Sequence, residues 1–264
     1  MGQARGKRSL GAVAIAVIVA ALIAPFAHAE LTERGDLFVR FKGGIDPGAL
    51  PRAQRAPITV SVAGTVKTLS GERPPALREI EIELNRGGEL NSHGLPVCRY
   101  DQLVAVGPRR AMEACGDALV GDGLYVGKTA FPEQATFPSR GHILAFNGVY
   151  RGREVILAHV YGTDPVPITR IIVFYIHRKG GTYGTVIKGS LPDAVNHYGY
   201  VEEIALRLHR NYTYRGRRRS YLSAACEAPS GFSVATFPFA RASMTFADDR
   251  TLASTLTRSC KVSG

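Results

Sequence analysis

The residues able to do chemistry are few, and histidines come first. After residue 30 the chain carries His93, His142, His159, His177, His197 and His209. None stands at a metal-ligand spacing. The chain has no H-E-x-x-H, no G-x-S-x-G and no EF-hand loop. His159 in VILAHVY and His177 in VFYIHRK lie at the ends of strand-like runs. Were those runs to pair, the two rings could meet a carboxylate such as Glu203 or Asp164. That set, with His209 as a further candidate, is what an extracellular hydrolase or a metal-dependent enzyme would need. Packed or surface histidines are the commoner outcome, so this is the alternative reading. Ser220 and Ser223 near His209 lack an orienting acid.

A phosphate loop nearly appears in GDGLYVGKT, Gly121 to Thr129. The motif G-x4-G-K-[ST] needs glycine where Asp122 stands, so the segment reads as a turn entering a strand. The row Glu79, Glu81, Glu83 in REIEIELN is the solvated face of a strand whose other face is Ile80, Ile82 and Leu84. No catalytic residue and no cofactor is assigned.

The most distinctive stretch is NYTYRGRRRS, Asn211 to Ser220. Arg215-Gly216-Arg217 fits a tight hairpin turn, because glycine adopts positive φ freely. Tyr212 and Tyr214 then share a strand face as stacking platforms. Arg215, Arg217, Arg218 and Arg219 crowd the tip. Guanidinium groups fork onto carboxylates and phosphates. These six residues are the expected binding site, for an anionic envelope polymer or an acidic protein. The plainer reading is a solvated hairpin end whose charges discourage edge pairing.

The termini say where such a tip would work. MGQARGKRS carries Arg5, Lys7 and Arg8. An uncharged apolar run from Leu10 to Ala27 follows, and Ala27-His28-Ala29 resembles a cleavage site. Residues 1–29 therefore read as a secretory signal peptide, and the membrane is met only through that segment before cleavage. Removing its three basic residues from the 33 Lys+Arg leaves 30 against 22 Asp+Glu, or +8. The excess is spread along the chain, which suits anionic surroundings but not nucleic-acid binding.

Cys98, Cys115, Cys226 and Cys260 are an even set in an exported chain and are expected as disulfides. Of the three connectivities, Cys98–Cys115 with Cys226–Cys260 closes the shortest loops. Paired close spacings of the C-x2-C kind, which structural zinc uses, are missing.

These features need a frame. Residues 30–56 are loosely patterned and read as an N-terminal arm or linker. From Pro57 onward short alternating runs recur between Gly-, Pro- and Asp-rich turns. They indicate a mostly β fold: one antiparallel β-sandwich domain, 57–264, immunoglobulin-like or jelly-roll-like. Pro108 followed by RRAMEAC predicts one short helix. VEEIALRLHRN fits helix or strand, and its neighbours favour strand.

The segments GLPVCRYDQL, ACGDALVGDG, HILAFNG and YLSAACEAPSGFSVATF together resemble secreted β-rich proteins of actinobacteria that carry no assigned function. The resemblance implies a secreted location and disulfides, and no activity. The expectation is an exported, non-enzymatic binding or structural module at the bacterial cell envelope.

Overall fold

The computed structural model describes residues 29–131, 133–164, 166–191 and 199–263. The signal-peptide reading, His197 and Tyr198 lie outside them.

Among the described residues nineteen strands form in chain order. The first group is β1 (Glu30–Arg34), β2 (Leu37–Asp46), β3 (Ala49–Leu50), β4 (Ala56–Pro57), β5 (Thr59–Thr68), β6 (Leu77–Asn85), β7 (Gly88–Leu90) and β8 (Cys98–Arg99). After α1 (Pro108–Cys115) come β9 (Leu119–Thr129), β10 (Phe137–Tyr150), β11 (Arg153–Gly162), β12 (Ile168–Arg178), β13 (Tyr183–Ser190) and β14 (Gly199–Leu208). The last are β15 (Asn211–Tyr214), β16 (Arg217–Ser220), β17 (Leu222–Ala224), β18 (Val234–Phe246) and β19 (Thr251–Val262).

Fourteen strands join one sheet in the order β1-β2-β5-β14-β9-β10-β11-β12-β13-β6-β18-β19-β3, with β8 beside β10. The pairs are antiparallel except β8 with β10 and β19 with β3. The mostly β, antiparallel expectation holds, as do the short helix and the two disulfides. The architecture shown is coarser than the expected sandwich: one long curled sheet, with a small three-stranded sheet against its core. The one long sheet curls into a half-barrel and packs its inner face on itself. Val60, Leu208, Ala145, Ile156, Ile187, Ala242 and Leu252, from seven different strands, enter the same core. A long twisted sheet must curl or split to cover its apolar face, and curling suffices here.

Strands from the two ends of the sheet are clasped. Thr32 Oγ1 donates to the Ala253 carbonyl at 3.0 Å, and Arg250 Nη1 donates to Arg34 O at 3.0 Å and Asp36 Oδ1 at 2.8 Å. Beside that seam a Cβ on Gly43 would stand 3.0 Å from Leu256 Cδ1, so glycine is what lets β2 approach β19 closely.

The segment expected as an arm, 30–56, is therefore part of the sheet. Leu37, Val39 and Phe41 alternate inward and are fully buried, and β2 pairs β5 along its whole length. The VEEIALRLHRN segment is strand: β14 lies between β5 and β9. GDGLYVGKT is strand as well, inside β9.

The glutamate row on β6 is not the solvated face that was expected: Glu79 and Glu81 are half-buried and Glu83 is buried, each held by a cation. Lys188 pairs with Glu79 at 2.8 Å and lies 3.7 Å from Glu81, while Glu83 meets Lys179 and Arg241. The outer face of β10–β12 is covered by α1, with Phe146, Val155 and Leu157 packed against Leu103 and Ala111. Pro108 opens that helix at its first position and Cys115 ends it. The disulfides are Cys98–Cys115 and Cys226–Cys260. They fit an oxidising, extracytoplasmic environment. Among the described residues no helix is long and apolar enough to cross a membrane.

A three-stranded sheet, β4-β17-β7, lies against the core through Leu90, Leu222 and Ala224. Beside it Tyr221 is fully buried, and its hydroxyl has no partner among the described residues. Burial, reinforced by the Glu154 carboxylate and opposed by Arg178, pushes this phenol well above the usual tyrosine range. The native state thus holds the proton while the unfolded chain releases it near pH 10. The stability tied to this phenol is complete below pH 10 and falls as pH rises beyond it, by about 1.4 kcal/mol per unit. Tyr221→Phe is expected to leave the melting temperature unchanged or higher at pH 7. Melts taken from about pH 9 to pH 11 should show a shallower alkaline loss for the variant.

Candidate functional site

β15 and β16 form a separate two-stranded hairpin between β14 and β17. Its two-residue turn is Arg215-Gly216, with φ of 49° and 72°. Positive φ at both central positions is what a type I′ turn requires. Tyr212 faces Arg219 and Tyr214 faces Arg217, so these four share one face, while Thr213 and Arg218 share the other.

The tyrosines are anchors, which corrects their expected role as free stacking platforms. Tyr212 Oη donates to the His93 carbonyl at 2.8 Å and lies 3.4 Å from the Asn91 carbonyl. Burial raises its phenol above the ordinary value, and Arg219 opposes the shift, so the donating proton stays on. The Tyr214 ring lies over Gly94, where any Cβ would collide with it. His93 meets the same ring edge-on at 5.0 Å between centroids. Gly94 has φ of +83°, so glycine serves both the turn and the contact.

With the rings committed to the body, the arginines are left to solvent. Arg215, Arg217, Arg218 and Arg219 are all exposed. Arg215 lies 5.2 Å from the Tyr214 centroid, a cation–π contact that stiffens the turn. No ion pair to a carboxylate is made by any of the four among the described residues. Elsewhere on the molecule Lys and Arg are commonly paired, as at Arg55–Glu89, Lys128–Glu202 and Arg250–Asp248. The result is four exposed arginines without carboxylate partners on one anchored hairpin.

The histidines do not converge. β11 and β12 do pair as a hairpin, but His159 stands opposite Ile171 and His177 opposite Val186 on β13. Six residues of strand between Ile171 and His177 correspond to about 20 Å. His159 is fully buried, and its Nε2 donates to the Val106 carbonyl at 2.8 Å, which also accepts the Thr169 hydroxyl at 2.8 Å. That places the proton on Nε2 and ties β11 and β12 to the segment before α1. His177 lies against Arg153 at 3.1 Å, and His209 lies 3.5 Å from Asp122. Glu203 is opposite Lys67 at 4.0 Å, and the Asp164 backbone carbonyl accepts from Ser139. Among the described residues no group of His, Cys, Asp and Glu could hold a metal.

What the sequence reading missed is a cavity of about 770 Å³ between the β4-β17-β7 sheet and the ends of β6, β13 and β18. None of the six hairpin residues lines it. The available signal was Phe232, an aromatic residue in the turn-rich segment APSGF. A smaller concavity of about 530 Å³ lies on β2, β5, β9 and β14, where Arg40, Lys42 and Lys67 outnumber Glu203.

No family model matches the chain, and neither a curated protein nor a solved structure is significantly similar to it.

Proposed function

We propose that this protein is an exported, non-enzymatic binding module of the bacterial cell envelope that holds an anionic polymer at the tip of the β15–β16 hairpin. One observation carries the reading: four exposed arginines without carboxylate partners sit on a turn that Tyr212 and Tyr214 fix to the body. A solvated tip that only discourages edge pairing needs no such anchoring. An anchored hairpin backbone loses less freedom on binding, and its guanidinium groups can fork onto phosphate or carboxylate oxygens. The excess left after the leader is removed, 30 basic over 22 acidic residues, adds a long-range pull on the same polymer.

The rival enzymatic reading needed His159, His177 or His209 with a carboxylate in one pocket; His159 and His177 lie apart, and the His209–Asp122 pair lines neither concavity. The test is co-sedimentation of the purified protein with envelope fractions from its source, over rising salt. The expected result is saturable binding that weakens steeply with salt. Absence of binding at low salt by a folded protein would reject the proposal.

A further inference from the structure

We propose that the cavity under the β4-β17-β7 sheet binds the tail of a single-chain amphiphile. This site is independent of the hairpin and goes beyond the envelope-polymer reading.

The cavity's size is that of a small-molecule site: about 770 Å³, within the roughly 300–1,000 Å³ such sites occupy. Its walls are mainly apolar, with Ile58 and Val60 from one side and Leu222, Phe237 and Phe239 from others. The charged lining residues are Arg86, Glu89 and Glu227, with Asn85 beside them. An apolar chamber with a polar patch fits a molecule that is itself divided into tail and head.

The outer wall is built to stay open. Residues 226–233 form a strap that the Cys226–Cys260 disulfide fixes to β19. Arg52 grips the strap: Nη1 donates to the Pro229 carbonyl at 2.9 Å and to the Ala228 carbonyl, and Nη2 donates to the Phe232 carbonyl at 2.8 Å. The Cys226 amide donates to Pro51 O at 2.9 Å, and the Val262 amide donates to Ser233 O at 2.8 Å. Thus held, the strap leaves Phe232 64% exposed and Val234 45% exposed, although both line the cavity. Apolar side chains kept in water at the mouth of an apolar chamber gain by covering a guest.

The head group follows from the rim. Arg86 and Glu227 are both at the lining and neither makes an ion pair among the described residues, whereas Glu89 is paired with Arg55 at 3.2 Å. An unpaired cation and an unpaired anion on one lining suit a dipolar head, as in a lysophospholipid, better than a bare carboxylate.

The test is displacement of an environment-sensitive fluorescent acyl probe from the full-length protein. Lysophospholipids of about ten to eighteen carbons are the competitors, each kept below its micelle concentration. Affinity should rise about fourfold per methylene until the cavity is filled, the value expected for burying one CH₂. Ala235→Trp, which fills the lining, should cost at least about tenfold. Phe232→Ser, at an exposed position that cannot unfold the core, should cost several-fold and serves if the tryptophan variant misfolds. Fatty acids and fatty alcohols of matched length should compete more weakly than the dipolar series. Replacing the four hairpin arginines should leave displacement unchanged, which separates this site from the polymer contact. No displacement at any chain length, or displacement that both cavity variants leave unchanged in folded protein, overturns the proposal.

Discussion

Replacing Cys226 and Cys260 together with alanine is expected to lower the unfolding free energy by about 4 kcal/mol, the larger of the two disulfide effects. The bridge spans 34 residues, against 17 for Cys98–Cys115, and a longer closed loop removes more freedom from the unfolded chain. The shorter loop should contribute about 3 kcal/mol on the same argument. Position adds to length. Both Cys226 and Cys260 are fully buried in the core that also holds Leu50 and Leu90, so cutting the bridge leaves a gap there. It also frees the strap that carries Phe232. Denaturant melts of the double variant should show the full loss, and the Cys98/Cys115 variant a smaller one. Equal losses would mean that loop length is not what sets the effect.

The second large effect is expected at the seam. Leu256 is fully buried on β19 and stands over Gly43 of β2, so it packs strands from the two ends of the sheet against each other. Leu256→Ala should cost roughly 2–5 kcal/mol through lost burial and the cavity left behind. The loss should sit toward the upper end, because Gly43 offers no side chain to collapse into the space. A cost below about 1 kcal/mol would mean that the half-barrel does not depend on this contact.

Much of the local structure was legible because it follows from local rules. The alternation of Ile80, Ile82 and Leu84 with three glutamates marked β6 as a strand, though not that Glu83 would be buried. Pro108 marked the first turn of α1, and Arg215-Gly216 marked the hairpin turn, each for reasons carried by one or two residues. The cysteine pairing followed from loop length. The curl of the sheet was not legible. A period of two tells that a strand has one buried face, but not which strand supplies the opposing face, so sandwich and half-barrel read alike. Residues 30–56 looked like an arm because Gly43 and Gly44 dilute the alternation of LFVRF. The structure uses Gly43 for close approach to β19.

The site was half legible for a related reason. That Tyr212 and Tyr214 share a face was readable, but the groups they meet, Asn91, His93 and Gly94, come from a segment over 110 residues earlier. The histidines failed in the opposite sense. Their strands pair as anticipated, yet register, which no local pattern sets, keeps His159 and His177 apart. The cavity had almost no signature, because its walls come from strands far apart in sequence.

The central claim is that the hairpin arginines are the polymer contact, and one comparison tests it most directly. The protein and its Arg215→Gln, Arg217→Gln, Arg218→Gln, Arg219→Gln variant are titrated with a labelled polyphosphate and a labelled polyglutamate across a range of salt. Four neutralised charges predict a log–log salt slope near −3, at about 0.7 per charge. The variant should lose up to about a thousandfold in low-salt affinity, at about 1 kcal/mol per arginine against an anionic surface, with its melting temperature unchanged. Equal affinity and equal salt slope for the two proteins would contradict the account and leave the hairpin as a solvated turn.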